Sequence, residues 1–340
     1  MILFRADGNS ILGMGHIMRC LSIADALKER EINVEFVLAE SFMQELIESR
    51  GYTAHVLNTD YSKPTEEIAI LKKADYYKEA AAILLDSYYV TEEYVQALKG
   101  KMTVYVDDYF TKLPVDAIIN YSVYADESEY VKVYENNIPK LILGPAYAPL
   151  RKEFCDTEPK LISQQVKDVL VLTGGSDSLH VALSFAREVL SREDDGISFH
   201  FVVGLMSEDY DEICTLAESN PSRIMVHHNV HDMKGLMSDC DMAISAAGST
   251  QYELCACGIP TINYTLADNQ VLGARAFEKQ GVMLYAGDVR DSEGFYTNLY
   301  DKAKELANSQ IKRTMYSEKA RNLVDGNGAG RIAVKLEEMI

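Results

Sequence analysis

The chain has 340 residues, with 52 acidic against 33 basic side chains and a formal net charge of −19. A field of that sign argues against nucleic-acid and membrane-surface partners, which need positive potential. It leaves room for a phosphate-bearing small substrate held locally by a helix N-terminus or one arginine. The length favours two domains, and no apolar stretch approaches the ~20 residues that a membrane helix needs.

Met1 to Arg5 is a short apolar run without the basic n-region of a signal peptide. The six cysteines (Cys20, Cys155, Cys214, Cys240, Cys255, Cys257) show no zinc spacing. Cys255 and Cys257, two apart on a helix, point to different sides. Reduced thiols, a cytoplasmic location, no metal and no cofactor are expected. The acidic composition is compatible with a monomer.

Met1 to Arg5 reads as a strand, followed by a glycine loop and a helix from His16 to Arg30. That helix places Ile17, Cys20, Leu21, Ala24 and Leu27 on one face. A strand at Asn33 to Leu38, a helix at Phe42 to Ser49, and strands at Ala82 to Asp86 and Thr103 to Asp107 follow. Repeated βα predicts a parallel sheet. The second half restarts the pattern. A strand at Asp168 to Leu172 runs into Thr173-Gly174-Gly175-Ser176-Asp177. Further strands are expected at 198–203, 224–227, 241–245 and 260–264, with helices at 179–190, 232–237 and 250–257.

The polar stretch Thr157 to Gln165 marks the domain boundary. The expectation is α/β: two doubly wound Rossmann-like domains, 1–156 with the catalytic loop and 166–310 with the nucleotide site. A helical tail, 311–340, is expected to pack back on the first. Its Arg313, Arg321 and Arg331 read as a solvated helix face.

Gly13-Met14-Gly15-His16 sits where a strand turns into a helix. Glycines there permit a tight turn and a close ligand approach, and strand exits of open α/β sheets bind ligands. The positive end of the helix favours a neutral imidazole, the form a general base needs. The loop is neither a dinucleotide fingerprint, since Met18 occupies the third glycine position, nor a P-loop. A histidine that merely satisfies a loop carbonyl fits equally well. Asp7 either caps this loop, the simpler role, or orients His16. Tyr88, after the strand ending at Asp86, is either a sugar contact or a packing tyrosine.

In the second half Gly248-Ser249-Thr250 follows a strand and opens a helix, a plausible seat for a pyrophosphate. Glu253, one turn on, is placed to accept hydrogen bonds from a ribose. The competing reading is a capping box from Thr250 to Glu253. Gly174 and Gly175 form a second glycine loop, and Asn269 and Gln270 open a later helix with amides toward the same strand ends. His227 and His228 are consecutive on a strand and point opposite ways, so with His231 they do not read as a metal site. The loop at Asn229 and Val230 offers backbone groups to a uracil.

Taken together, these motifs resemble a known family. Arg5-Ala6-Asp7 with Gly13-Met14-Gly15-His16-Ile17-Met18-Arg19-Cys20 looks like the start of the UDP-sugar hydrolases of pseudaminic acid biosynthesis and their spore-coat polysaccharide relatives. The resemblance continues through 144–154 (Gly144 to Phe154), 174–177, Ala247-Gly248-Ser249-Thr250-Gln251-Tyr252-Glu253 and Asn269-Gln270, and so spans both halves. It implies a GT-B fold with an interdomain cleft, and release of UDP from UDP-2,4-diacetamido-2,4,6-trideoxy-β-L-altropyranose by water. It also implies His16 as general base, Arg151 as a substrate-binding arginine and Glu253 as the ribose carboxylate. Gly13, Gly15, Gly174 and Asp177 come with the matched motifs. The alternatives are a glycosyltransferase using a UDP-sugar donor and a nucleotide-sugar-binding protein without turnover.

Overall fold

The computed structural model describes every residue except Ser10, Ser176, Leu205, Met206 and Ser292. The chain forms two compact units, Met1–Lys152 with Gly326–Ile340, and Glu153–Asp325.

The first unit holds strands β1 (Ile2–Ala6), β2 (Val34–Leu38), β3 (Thr53–Val56), β4 (Ala82–Asp86), β5 (Met102–Val106), β6 (Ala117–Asn120) and β7 (Lys140–Leu143). They pair in the order β3-β2-β1-β4-β5-β6-β7, all parallel. β1 and β4 are buried along their whole length, as strands covered by helices on both faces must be. One face packs Leu3, Val37, Ile83, Leu85 and Ile118 against Tyr94, Tyr130 and Tyr134. Strands β3, β6 and β7 escape the sequence reading because each is only four residues long. β3 and β7 also lie at the edges, where partly exposed residues blur the apolar pattern.

The second unit holds β8 (Asp168–Leu172), β9 (Ser198–Val203), β10 (Ile224–His228), β11 (Met242–Ala246), β12 (Thr261–Thr265) and β13 (Met283–Asp288), in the parallel order β10-β9-β8-β11-β12-β13. Its core packs Val169, Val171, Phe199, Phe201, Ile244 and Ile262 against Phe185 and Val189. In each sheet the strand order reverses beside the first strand, between β1 and β4 and between β8 and β11. The loops leaving those strands diverge, which opens a crevice at each switch point.

The tail is two helices. Gln310–Leu323 stays with the second unit, and extended Val324 followed by Gly326 at φ 83° ends it. Gly328–Glu337 joins the first unit and packs on the helix Gly15–Lys28. A Cβ at Gly328 would lie 2.1 Å from the carbonyl oxygen of Ala148, so only glycine fits that approach. The tail arginines are not a solvated face. Arg313 is fully buried and donates to the carbonyls of Leu306, Ala307, Ser163 and Gln164. Arg321 braces Thr157 and Glu158, and Arg331 donates to Ala146 O at 2.8 Å. Such arginines tie loop carbonyls that the helices leave unpaired.

Arg5, inward on β1, makes a two-pronged pair with fully buried Glu67, at 2.7 and 2.9 Å, and also pairs with Asp7. Burial opposes its charge, but Asp7 and Glu67 outweigh that and hold the guanidinium firmly ionised. Glu67 also accepts from Tyr94 Oη at 2.5 Å. Glu67→Gln is expected to lower unfolding free energy by about 3 kcal/mol, because it strands half of a buried ion pair. Urea denaturation measures this, and a change under about 0.5 kcal/mol would show that the pair is not stabilising.

Candidate active site

The loop after β1 is built by Asn9, whose side-chain oxygen accepts from the N–H groups of Ile11 and Leu12 at 2.9 and 2.8 Å. Its carbonyl accepts from Gly13 N at 2.8 Å, and Gly13 turns the chain at φ 74°. The helix Gly15–Lys28 then starts at once and carries His16 and Arg19 one turn apart, on the same side. Asp7 neither caps this loop nor orients His16. It pairs with Arg5 and accepts from Ala39 N at 2.9 Å, tying the exits of β1 and β2 together.

The residue that orients His16 is Asp86, the last of β4. β4 is the neighbour of β1 across the switch point, so parallel pairing delivers both chain exits to one place. His16 Nδ1 lies 2.6 Å from Asp86 Oδ1. Burial alone would raise the Asp86 carboxyl. The charge of Arg19 and the hydrogen bonds from Arg19 and His16 overcome it and hold the group well below the usual carboxylate range. An ionised carboxylate at 2.6 Å requires the proton on Nδ1, which leaves Nε2 to accept one.

Arg19 grips the same carboxylate twice, Nε to Oδ2 at 2.6 Å and Nη2 to Oδ1 at 2.5 Å. Its other edge meets Asp108 at 3.2–3.3 Å and Tyr121 Oη at 2.9 Å. The ring of Tyr88, 46% exposed, meets the imidazole edge-on with centroids 4.6 Å apart, and Tyr109 packs beyond it at 5.6 Å. Ile11 and Met14 are exposed on the same loop. Neither Asp86 nor Arg19 stood out as chemistry in the sequence. The signal was there: a strand-terminal Asp after a run of apolar residues, and an Arg three residues past the histidine.

Arg151 is half-buried in the first unit, just before the short helical turn Lys152–Phe154.

In the second unit Gly174 (φ 93°) leaves β8, and Gly248, Ser249 and Thr250 leave β11, on the two sides of that sheet's switch point. Gly248 and Ser249 are exposed. The helix Thr250–Cys257 has Ser249 as its N-cap with no side-chain capping bond, so Thr250 lies inside the helix and the capping-box reading loses its cap. Glu253, half-buried, lies in the first turn. Asp177 is different from a ligand-facing group: its carboxylate is buried and accepts from the N–H groups of Val181 and Ala182 at 3.0 and 2.9 Å, capping the helix Val181–Ser191. Ser176, between the glycines and Asp177, lies outside the described residues. Gln270 Oε1 accepts from Leu266 N at 2.8 Å, and Asn269 is exposed beside it.

His227 pairs with His200 (Nε2 to Nδ1, 3.0 Å), which in turn reaches Asp168 at 2.9 Å, while the His228 ring packs against Tyr210. Among the described residues no group of three His, Cys, Asp or Glu is arranged to hold a metal ion, and no helix is long and apolar enough to cross a membrane.

The architecture is the GT-B fold. Acinetobacter baumannii MurG superposes with a TM-score of 0.70 over 99% of both chains at 14% identity. An S. aureus MnaA–UDP structure does so at 0.67 over 99% of this chain and 96% of that one, at 12% identity. In sequence, no family model matches. The relatives nonetheless include both groups that the motifs resemble. The spore coat polysaccharide biosynthesis protein SpsG of Bacillus subtilis is 26% identical over 98% of this chain and 97% of its own length. A Helicobacter pylori protein, named pseudaminic acid cytidylyltransferase and UDP-2,4-diacetamido-2,4,6-trideoxy-β-L-altropyranose hydrolase, is 22% identical over 93% of this chain and 51% of its own. An uncharacterised protein of Methanocaldococcus jannaschii is 25% identical over 75% of this chain and 54% of its own. The chain thus spans about half the length of the latter two.

Proposed function

We propose that the chain is a UDP-sugar hydrolase that releases UDP from UDP-2,4-diacetamido-2,4,6-trideoxy-β-L-altropyranose in nonulosonic acid biosynthesis. The observation that carries the reading is the ionised Asp86 fixed on Nδ1 of His16, which leaves Nε2 as a base. The sugar follows from the name of the Helicobacter pylori relative and from the shared motifs.

Nε2 takes a proton from water as the water oxygen bonds to the anomeric carbon. The carbon–oxygen bond to the β-phosphate breaks, its electrons leave with UDP, and the configuration inverts. Asp86 stabilises the imidazolium formed. The exposed start of the helix Thr250–Cys257, with Gly174 at the exit of the neighbouring strand β8, is the proposed diphosphate seat, and Glu253 the ribose acceptor. Arg151 and Tyr88 are assigned to the sugar, and Asn269 and Gln270 to the nucleotide. Asp177 contributes by shaping its loop.

Incubation with this UDP-sugar and no acceptor is expected to release UDP, with NMR of the product reporting the anomeric outcome. Release only when a sugar or lipid hydroxyl is added would make the chain a glycosyltransferase, a reading that exposed Ile11 and Met14 favour as an apolar landing for an acceptor. Tight binding with no product under either condition would leave a binding protein. Glu253→Ala is expected to weaken UDP binding roughly 10–100-fold by calorimetry, the worth of charge-assisted ribose bonds. Unchanged affinity would remove Glu253 from the nucleotide site.

A further inference from the structure

We infer that Arg19 is a positioning residue that sets the basicity of His16, by dividing the charge of Asp86 between the imidazole and itself. The inference rests on the reading of His16 as the base.

A histidine beside a lone buried carboxylate is driven toward its charged form, in which it accepts no proton. Here the carboxylate is not alone. Both Asp86 oxygens are engaged by Arg19, and the oxygen bonded to His16 is also bonded to Nη2. Nη2 stands 3.0 Å from Nδ1 itself. With the ring proton on Nδ1 this is a contact of two donors sharing one acceptor, and the cation faces the imidazole directly. Asp108 pulls in the opposite sense from the far edge of Arg19.

Among the described residues, the groups facing His16 are Asp86 from β4, Arg19 from its own helix, and the phenol ring of Tyr88. Behind Arg19 stand Asp108 after β5 and Tyr121 after β6. Cys20 Sγ, 3.4 Å from Asp86, is held as a neutral thiol by burial and by that carboxylate. Tyr121 is likewise held as a phenol by burial, and Tyr88, buried on its inner face only, by that partial burial and the charge of Asp108. Among the described residues, the ion pairs of this set join Arg19 to Asp86 and to Asp108. Neutral phenol and thiol groups add no charge to the balance. A salt brace has no need to touch the imidazole, whereas this guanidinium does.

The test is the acid limb of kcat/KM, where activity falls as the base takes up its proton. In Arg19→Gln the undivided carboxylate is expected to move that limb about one pH unit or more toward higher pH. Arg19→Lys, which keeps the charge, is expected to restore most of the shift. Asp108→Asn frees Arg19 to act on Asp86, and is expected to move the limb the other way. That variant also serves if Arg19→Gln does not fold, since Asp108 sits at the edge of the network. Loss of activity at all pH values with an unmoved limb, or shifts of the same sign in Arg19→Gln and Asp108→Asn, would overturn the inference. If His16→Gln keeps the same acid limb as the native chain, the base reading fails and this inference with it. The two failures are thus distinguished.

Discussion

Replacing His16 by asparagine is expected to reduce kcat for UDP release by roughly 10²–10⁴ while KM for the UDP-sugar changes little. The asparagine amide still donates to Asp86 in place of Nδ1, so the network around Arg19 persists and the fold is not at issue. What disappears is the acceptor nitrogen that the Asp86 contact reserves on the other side of the ring. Single-turnover UDP release measures the step directly. A folded variant that keeps activity within a few-fold would exclude His16 as the base.

Asp86→Asn tests the same chemistry from behind the ring. An asparagine presents an amide as readily as a carbonyl, so the imidazole is free to adopt the tautomer with its proton on Nε2, where it accepts nothing. A loss in kcat of roughly 10²–10⁴ is expected, as for other histidine bases whose orienting carboxylate is neutralised. Stability should respond too, with a definite sign. In the folded chain Asp86 binds its proton more weakly than the ordinary value of 3.8. It therefore adds stability at and above that pH, and the contribution is lost as pH falls toward the depressed folded value. Denaturation of Asp86→Asn is expected to show a shallower loss of stability below about pH 4 than the native chain. Equal acid sensitivity would mean that the Asp86 charge has no stabilising partners in the fold.

Local chemistry makes much of this protein legible in its sequence. The βα alternation, the glycine turn into the helix carrying His16, and the small residues at 248–250 are all properties of neighbouring residues in the chain. Periodicity and backbone permissiveness report such properties directly. Resemblance in those same short blocks pointed to the GT-B architecture that the structure shows.

Partners distant in sequence were a different matter. Asp7 stood near His16 in the chain and invited a role there, but strand register assigned it to Arg5 and to the exit of β2. Asp86, 70 residues from His16, took the role because β4 is the neighbour of β1 at the switch point. The tail arginines, solvated by pattern, instead brace carbonyls that only the packed structure supplies, and Arg313 is fully buried among them. Asp177 is the local exception, capping the N–H groups of Val181 and Ala182 only four and five residues on. The sequence by itself determined which elements form and where glycine must let the chain turn. The tertiary structure alone decided which charge meets which, because a side chain's electrostatic partners depend on sheet order and burial, and neither is encoded within a window of adjacent residues.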